Sequence, residues 1–426
     1  MMRMFAGMFK NKEIRNKILF TLLMLLIYRI GAAIPVPGVD AAKLSAQISD
    51  NSILAMMNML GGGAFERMSV FALGVSPYIT ASIIIQLLSM DVIPALTEMT
   101  KSGQQGRQQM DRITRYLGCV LALVQSFSMT YGFDKQYAIL ENSRFSTYLF
   151  TATILTAGTM FLLWIGDRIS MKGIGNGISI IIFAGIVSNM PANFSQVFNI
   201  MVAGTSQSAV FNGVLMFALY VLLYLVVIVG VVIMQLAVRK IPIQYTGSSN
   251  RGANDITYLP FRINSASVIP VIFASSIITA PQIILSFVNY SAYQKLSNIL
   301  SLQKPFGLIL YAVLIFLFTF FYTDLQIDPE KVAENLGKSG AYIPGIRPGT
   351  ETKTYLKKVI NRITVLGATA LVIIAVIPYL LPMFTPLSTS VSVGGTGIII
   401  VVGVAMETIS QLKGQMTQKQ YHGFRK

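Results

Sequence analysis

Residues able to carry covalent or acid–base chemistry are scarce in this chain. It has one cysteine, Cys119, inside an apolar run, and one histidine, His422, near the end of the sequence. A lone cysteine forms no disulfide within the chain and no cysteine metal cluster. Together the two exclude most His- and Cys-based catalysis. An intramembrane protease needs two membrane aspartates, a serine paired with a base, or a His/Glu zinc motif, and none of these can be assembled. No Gly-x-x-x-x-Gly-Lys-Ser/Thr phosphate loop occurs, so any nucleotide-derived energy must come from a partner. The charged residues touching apolar runs, Arg29, Asp324 and Glu407, lie toward the ends of those runs, where side chains snorkel to water or cap a helix. Ion-coupled transport normally needs an ionisable group at the membrane midplane, so it is the poorer hypothesis. No catalytic residue, metal site or cofactor is expected.

The elements that position what remains are membrane helices. Of 426 residues 54% are hydrophobic and 12% charged, about half the charge of an ordinary soluble domain. Gly173 to Val238 runs 66 residues without Asp, Glu, Lys or Arg, and Ile363 to Met406 runs 44. Each stretch holds two spans of ~20 residues. Apolar windows predict ten spans near 18–34, 68–90, 116–133, 145–166, 174–190, 210–238, 264–289, 306–324, 363–382 and 394–412. All are read as helices, because only helices and closed barrels satisfy their backbone in lipid and period-two alternation is absent. The fold class expected is an all-α polytopic membrane protein.

Of the 33 basic residues, 26 fall on the side of the N-terminal tail, 6 on the other, and Arg29 within the first span. The positive-inside rule makes the tail side, and with ten spans both termini, cytoplasmic. No cleavable signal peptide is expected, since the first apolar run ends in Ile34-Pro35-Val36-Pro37-Gly38 rather than at a small-residue cleavage site. The external segment 35–67 contains Gly61-Gly62-Gly63 before Ala64-Phe65-Glu66-Arg67, which suggests a short helix that can hinge. Two cytoplasmic loops, about 239–262 and 326–362, are longer than joining helices requires. Both a solvated connector and a docking surface fit them. Turn residues around a lone cation, at Asn250-Arg251-Gly252 and Ile346-Arg347-Pro348, favour docking.

Aliphatic residues beside flexible glycines recur at Ser82 to Gln86, Gly175 to Ile182 and Gly394 to Ile400. Alone, such strings fit lipid-facing or packing surfaces as well as a pore. A passive channel, a small-solute transporter and a membrane scaffold all remain open from composition.

At these strings the chain resembles the SecY family of protein-conducting channel subunits. Ala72-Leu73-Gly74-Val75-Ser76-Pro77-Tyr78-Ile79-Thr80 and the residues to Leu88 resemble that family's second span, Gly173 to Val187 its fifth, Val268-Ile269-Pro270-Val271-Ile272-Phe273-Ala274-Ser275-Ser276 its seventh, and Gly340 to Gly349 the loop before its ninth. The resemblance runs in matching order from about Arg15 to the end. It implies two inverted pseudo-symmetric five-helix halves, about 1–190 and 191–426, around an hourglass pore.

Carried over position by position, the resemblance implies a pore ring of Val75, Ile79, Ile178, Ile182, Ile272 and Ile400. Position 75 is Val where Ile is common. Aliphatic rings offer water no hydrogen bonds, so a closed constriction dewets yet yields to a passing chain. The resemblance further implies a plug over about 58–69, with Gly61, Gly62, Gly63, Phe65, Glu66 and Arg67. It implies a lateral gate between spans two and three and spans seven and eight, with Gln86 and Asn264 hydrogen-bonding across that seam. Docking would use Arg239, Lys240, Arg251, Arg347, Lys357 and Lys358, although the 247–255 tip carries one Arg where relatives are often richer. The implied partners are SecE and SecG, the motor ATPase SecA, the ribosome, a translocating polypeptide with its signal sequence, and membrane lipid, with no direct nucleotide binding. The implied place is the bacterial cytoplasmic membrane.

Overall fold

The computed structural model describes residues 11–40, 58, 61–89, 93–203, 210–245, 257–288, 296, 299–302, 304–384 and 389–422. Helix α1 (Lys12–Ala33) starts where Asn11 accepts the Glu13 N–H at 3.1 Å, satisfying one of the donors a helix start leaves unpaired. After a turn-rich segment come α2 (Ser76–Leu88), α3 (Pro94–Lys101), α4 (Gly103–Tyr137), α5 (Phe145–Lys172), α6 (Gly177–Phe198) and α7 (Val210–Leu236). Strands β1 (Val238–Tyr245) and β2 (Thr257–Arg262) precede α8 (Ile269–Val288), α9 (Pro305–Gln326) and α10 (Pro329–Lys338). Strand β3 (Ala341–Tyr342), α11 (Thr350–Phe384) and α12 (Thr389–His422) complete the order.

Eight helices among the described residues are long and apolar enough to cross a membrane, and Ser76–Leu88 and Ile269–Ile278 are shorter apolar helices. Together they occupy the ten windows read from the sequence. Two windows need correction. The second, 68–90, is helical only over the 13 residues of α2; the chain from 61 to 75 is a run of turns. Gly62, Gly63 and Gly74 there have φ of 69°, 79° and 57°, conformations no helix contains and glycine reaches without a Cβ clash. The fifth does not stop at 190, because α6 continues through Pro191 to Phe198. Between the second and third windows the chain forms α3.

The N-terminus of α6 shows how closely the helices pack. Asn176 caps it by accepting from the Ile178 and Ser179 N–H groups. A Cβ on Gly177 would lie 1.9 Å from the Gly166 carbonyl oxygen of α5, so any larger residue would push the two helices apart. Elsewhere α4 packs on α2 and α5, α1 on α5, α9 on α8 and α11, and α12 on α7 and α11. Three sets of contacts among the described residues join the first five spans to the last five: α12 against α6, α8 against α2 and α4, and the end of α6 against α7, where Phe194 meets Tyr220 and Tyr224.

The two long loops are not independent connectors. They form one antiparallel sheet of order β2-β1-β3, in which β1 pairs Gln244 with Tyr342 and Tyr245 with Ala341. Ile241, Ile243 and Phe261 bury against Leu336, Ile343, Leu356 and Ile360, giving this end of the bundle its own apolar core.

Candidate pore, gate and docking surface

Val75 and Ile79 lie one helical turn apart at the start of α2, as do Ile178 and Ile182 on α6, so each pair shares a face. Val75, Ile79, Ile182 and Ile400 are buried in one continuous apolar cluster, and Ile178 and Ile272 pack against it half-buried. Four helices, α2, α6, α8 and α12, thus bring all six residues into the same cluster. Ala64 and Phe71 of the turn segment belong to it too.

That segment is fastened by Arg29 and Glu66, which the sequence singled out, and by Tyr28 and Asn189, which it did not. Tyr28 O–H donates to the Gly61 carbonyl at 3.2 Å, and Arg29 Nη1 to the Gly62 carbonyl at 2.8 Å. Arg29, exposed four residues before the end of α1, thus meets a backbone carbonyl at the span end where it was expected. Asn189 Nδ2 of α6 donates to the Asn58 carbonyl at 3.4 Å. Asn58 also exchanges two bonds with Glu66: its Nδ2 donates to Glu66 Oε2 at 3.1 Å, and its Oδ1 accepts the Glu66 N–H at 3.0 Å. Phe65 and Met68 are fully buried, with the Phe65 ring edge-on to Phe133 of α4 at 5.7 Å. Arg67 is exposed and makes no hydrogen bond or ion pair among the described residues. The helix expected over Ala64 to Arg67 is absent: these are turns, because the glycines before them and Met68 after them, φ 41°, all reverse the chain. Residues 59–60 of the expected plug lie outside the described residues.

Gln86 and Asn264 do not meet each other. Tyr322 of α9 donates its O–H to Gln86 Oε1 at 2.5 Å, while Gln86 Nε2 donates to Ser82 Oγ at 3.1 Å. Asn264, 2% exposed, instead donates to the Ser267 carbonyl at 2.9 Å, and its Oδ1 is buried without a hydrogen-bond partner among the described residues. Local geometry explains the correction. Asn264 sits in the tight turn leading into α8, where Ser267 has φ 56°, and the nearest acceptor is in its own turn. The Tyr322 ring, edge-on to Phe273 of α8 at 4.9 Å, completes the seam. An aromatic hydroxyl in an apolar span was the available signal.

Arg239 and Lys240 project exposed from β1, and Lys357 and Lys358 are exposed on α11. Arg347 is exposed between Gly345 and Gly349, whose φ of 81° and 104° make the turn that presents it, and Thr352 Oγ1 donates to its carbonyl at 2.8 Å. Arg251 lies outside the described residues. Behind this surface Asp328 caps α10. Desolvation pushes its carboxyl up, but the Lys331 and Glu330 N–H groups and the Lys331 ammonium outweigh this and hold it below the usual carboxylate range. Lys353 pairs with Glu330 at 2.6 Å, tying α11 to α10. The register of β1 on β3, reinforced by Tyr342 O–H on Gln244 Oε1 at 3.1 Å, was not legible in sequence.

Ten apolar helices, an aliphatic cluster shared by helices from both ends of the chain, and a turn segment inserted into it define a polytopic channel-like membrane protein. The family model described as SecY matches residues 69–409. The protein translocase subunit SecY of Bacillus subtilis is 45% identical over 432 residues, covering 100% of both chains. A solved protein-conducting channel superposes with TM-score 0.68 at 19% identity over 94% of this chain and 92% of its own. Sec61 in the canine ribosome-channel complex from the endoplasmic reticulum gives 0.65 at 18%, over 94% and 92%. The chain belongs to the SecY family, a multi-pass protein translocase subunit. The ten-helix, two-halved architecture is consistent with those channel structures.

Proposed function

We propose that the chain is the pore-forming subunit of a bacterial Sec translocon, a passive channel in the cytoplasmic membrane with both termini in the cytoplasm. It passes unfolded, signal-bearing polypeptides across and releases membrane segments sideways into lipid. The observation that carries this reading is the shared burial of Val75, Ile79, Ile182 and Ile400 with Ala64 and Phe71 of the turn segment. A closed aliphatic constriction with a chain segment packed into it blocks ions without binding them. The chain itself supplies no catalysis and binds no nucleotide.

In this reading Val75, Ile79, Ile178, Ile182, Ile272 and Ile400 form the ring, and Gly61 to Arg67 lie in the plug. The seam between α2 and α8, with Gln86 and Tyr322, is the lateral gate, and Asn264 is part of the turn on which α8 pivots. The two halves divide after α6 rather than at 190, since a cut at 190 would fall inside a helix. SecE and SecG complete the channel. SecA or the ribosome docks on the sheet-bearing end through Arg239, Lys240, Arg251, Arg347, Lys357 and Lys358; the ribosome-bound relative supports that class of partner.

Vesicles carrying the chain with SecE, given SecA and ATP outside, should shield a signal-bearing precursor from added protease and leave a signal-less one digestible. Digestion of both would overturn the proposal.

A further inference from the structure

Ala64 joins the cluster that α8 and α12 also line, but the other contacts of Asn58 and residues 61–69 share a direction. The segment's side-chain donors are Tyr28 and Arg29 of α1 and Asn189 of α6. The cluster around Phe65 and Met68 draws on Val36, Met129, Phe133, Ile139, Leu140, Tyr148 and Leu155, all before α6. Gly62 also sits directly on Gly185 of α6: a Cβ on Gly62 would come within 2.7 Å of the Gly185 Cα. We propose that Tyr28, Arg29 and Asn189 are positioning residues that latch this segment onto the first five spans, so that opening the seam between α2 and α8 does not by itself unseat it. This inference rests on the channel reading above.

The chemistry of the latch explains how it holds and how it lets go. Arg29 carries a charge in an apolar helix, and a bond from an ionised donor is about twice as strong as a neutral one. Arg29 is exposed four residues before the end of α1, and the Gly62 carbonyl satisfies one of its five N–H donors, so the seated state is favoured. All three donors, however, address backbone carbonyls rather than side chains. Every polypeptide carries the same acceptor, whatever its sequence. An extended chain entering the pore therefore offers Arg29 and Tyr28 replacement carbonyls, and the exchange of one carbonyl for another lowers the barrier to displacing the segment. Two steps follow in order: the seam parts, then the incoming backbone takes over the latch.

The test uses the chain reconstituted with its partner subunit and measures iodide entry through quenching of an entrapped dye, with no motor present. Arg29→Met should raise resting entry about tenfold, the shift expected from losing one charge-assisted hydrogen bond. Arg29→Lys, which keeps a charged donor, should restore most of the seal, an outcome that a purely architectural role for the side chain would not produce. Tyr28→Phe removes one hydroxyl and should raise entry about threefold. Should Arg29→Met fail to assemble, Tyr28→Phe and Asn189→Ala decide the matter. Vesicles as tight as the parent for every variant that assembles would overturn the latch. A parent that translocates a signal-bearing precursor while its variants stay tight sinks the latch alone, and a parent that never translocates sinks the channel reading whatever the leak.

Discussion

The seat of the 58–69 segment and the seam between α2 and α8 lie close together and are held by opposite means. The seat combines buried Phe65 and Met68 with charged and neutral donors on backbone carbonyls and a glycine-on-glycine contact that tolerates no added atom. The seam is apolar, with Tyr322 on Gln86 as its hydrogen bond. Hydrogen bonds inside membranes average only ~0.6 kcal/mol, and apolar contact between helices is readily exchanged for contact with lipid. One region is built to fit a single segment, and the other to be replaced by surroundings that differ at every opening. In the proposed channel, sealing and sideways release would reside in separate parts of the molecule and should respond to different mutations.

The sharpest way to break that comparison is Gly62→Ala. A residue with a Cβ at φ 69° is strained by roughly 1–2 kcal/mol. The added carbon would also lie 2.5 Å from Tyr28 Oη and 2.7 Å from the Gly185 Cα. The segment should fail to seat, and resting iodide entry should rise by more than about tenfold while motor-driven translocation persists. An unchanged seal would show that the segment closes nothing.

Next comes the ring itself. Replacing Ile79 and Ile182 by glycine widens the cluster from two helices at once, and the dewetting barrier falls with radius. Leak should rise severalfold even with the seat intact, measured by the same dye. Combining this pair with Gly62→Ala should raise leak beyond either alone, since seat and ring are separate barriers in series.

Much of this architecture was legible because lipid forces it. Apolar windows located all ten spans, and the strings at 72–88, 173–187 and 268–276 carried the resemblance from which the ring came; composition alone left channel, transporter and scaffold open. The errors have a common physical origin. An apolar window at 68–90 registers hydrophobicity but not chain reversal, so turns set by positive φ at Met68 and Gly74 were read as span, and those at Gly62 and Gly63 as the joint of a short helix. Strands β1 and β3 escaped because Pro242 interrupts the first, the second has two residues, and their pairing joins positions about a hundred residues apart. Tyr322 meets Gln86 across 236 residues, a contact no local pattern encodes. Asn264 was expected to bond across the seam and bonds instead within its own turn, which offers a nearer acceptor.

The sheet-bearing end offers a way to act on the seam without touching the seat. Strand β2 runs into the Asn264 turn and α8, and the Ile263 N–H donates to the Ala237 carbonyl at 2.9 Å, so the sheet is joined directly to the helix proposed to line the gate. Arg347→Glu should weaken docking of an acidic motor surface and raise the motor concentration needed for half-maximal translocation severalfold. The deficit should shrink as added salt weakens the parent's own docking, because exposed charges are screened within about 8–10 Å at physiological ionic strength. Resting leak should stay at the parental level. A rise in leak would mean that the sheet also bears on the seat.

The smallest effect expected is at the seam itself. Tyr322→Phe deletes the hydroxyl that bonds Gln86 but keeps the ring against Phe273, so packing is retained and only the polar contact goes. At the membrane average of ~0.6 kcal/mol, the balance between closed and parted seams shifts about threefold. Gln86 Oε1 loses its acceptor role, and Gln86→Leu should therefore give a shift of similar size. The double variant should add little to either single one, since both remove the same bond. The readout is crosslinking of a signal segment to lipid or to α8, which should rise by that factor, while iodide entry at rest stays low because the latch is untouched. If Tyr322→Phe leaks as strongly as Arg29→Met, parting the seam and unseating the segment are one motion, and the division between seat and seam collapses.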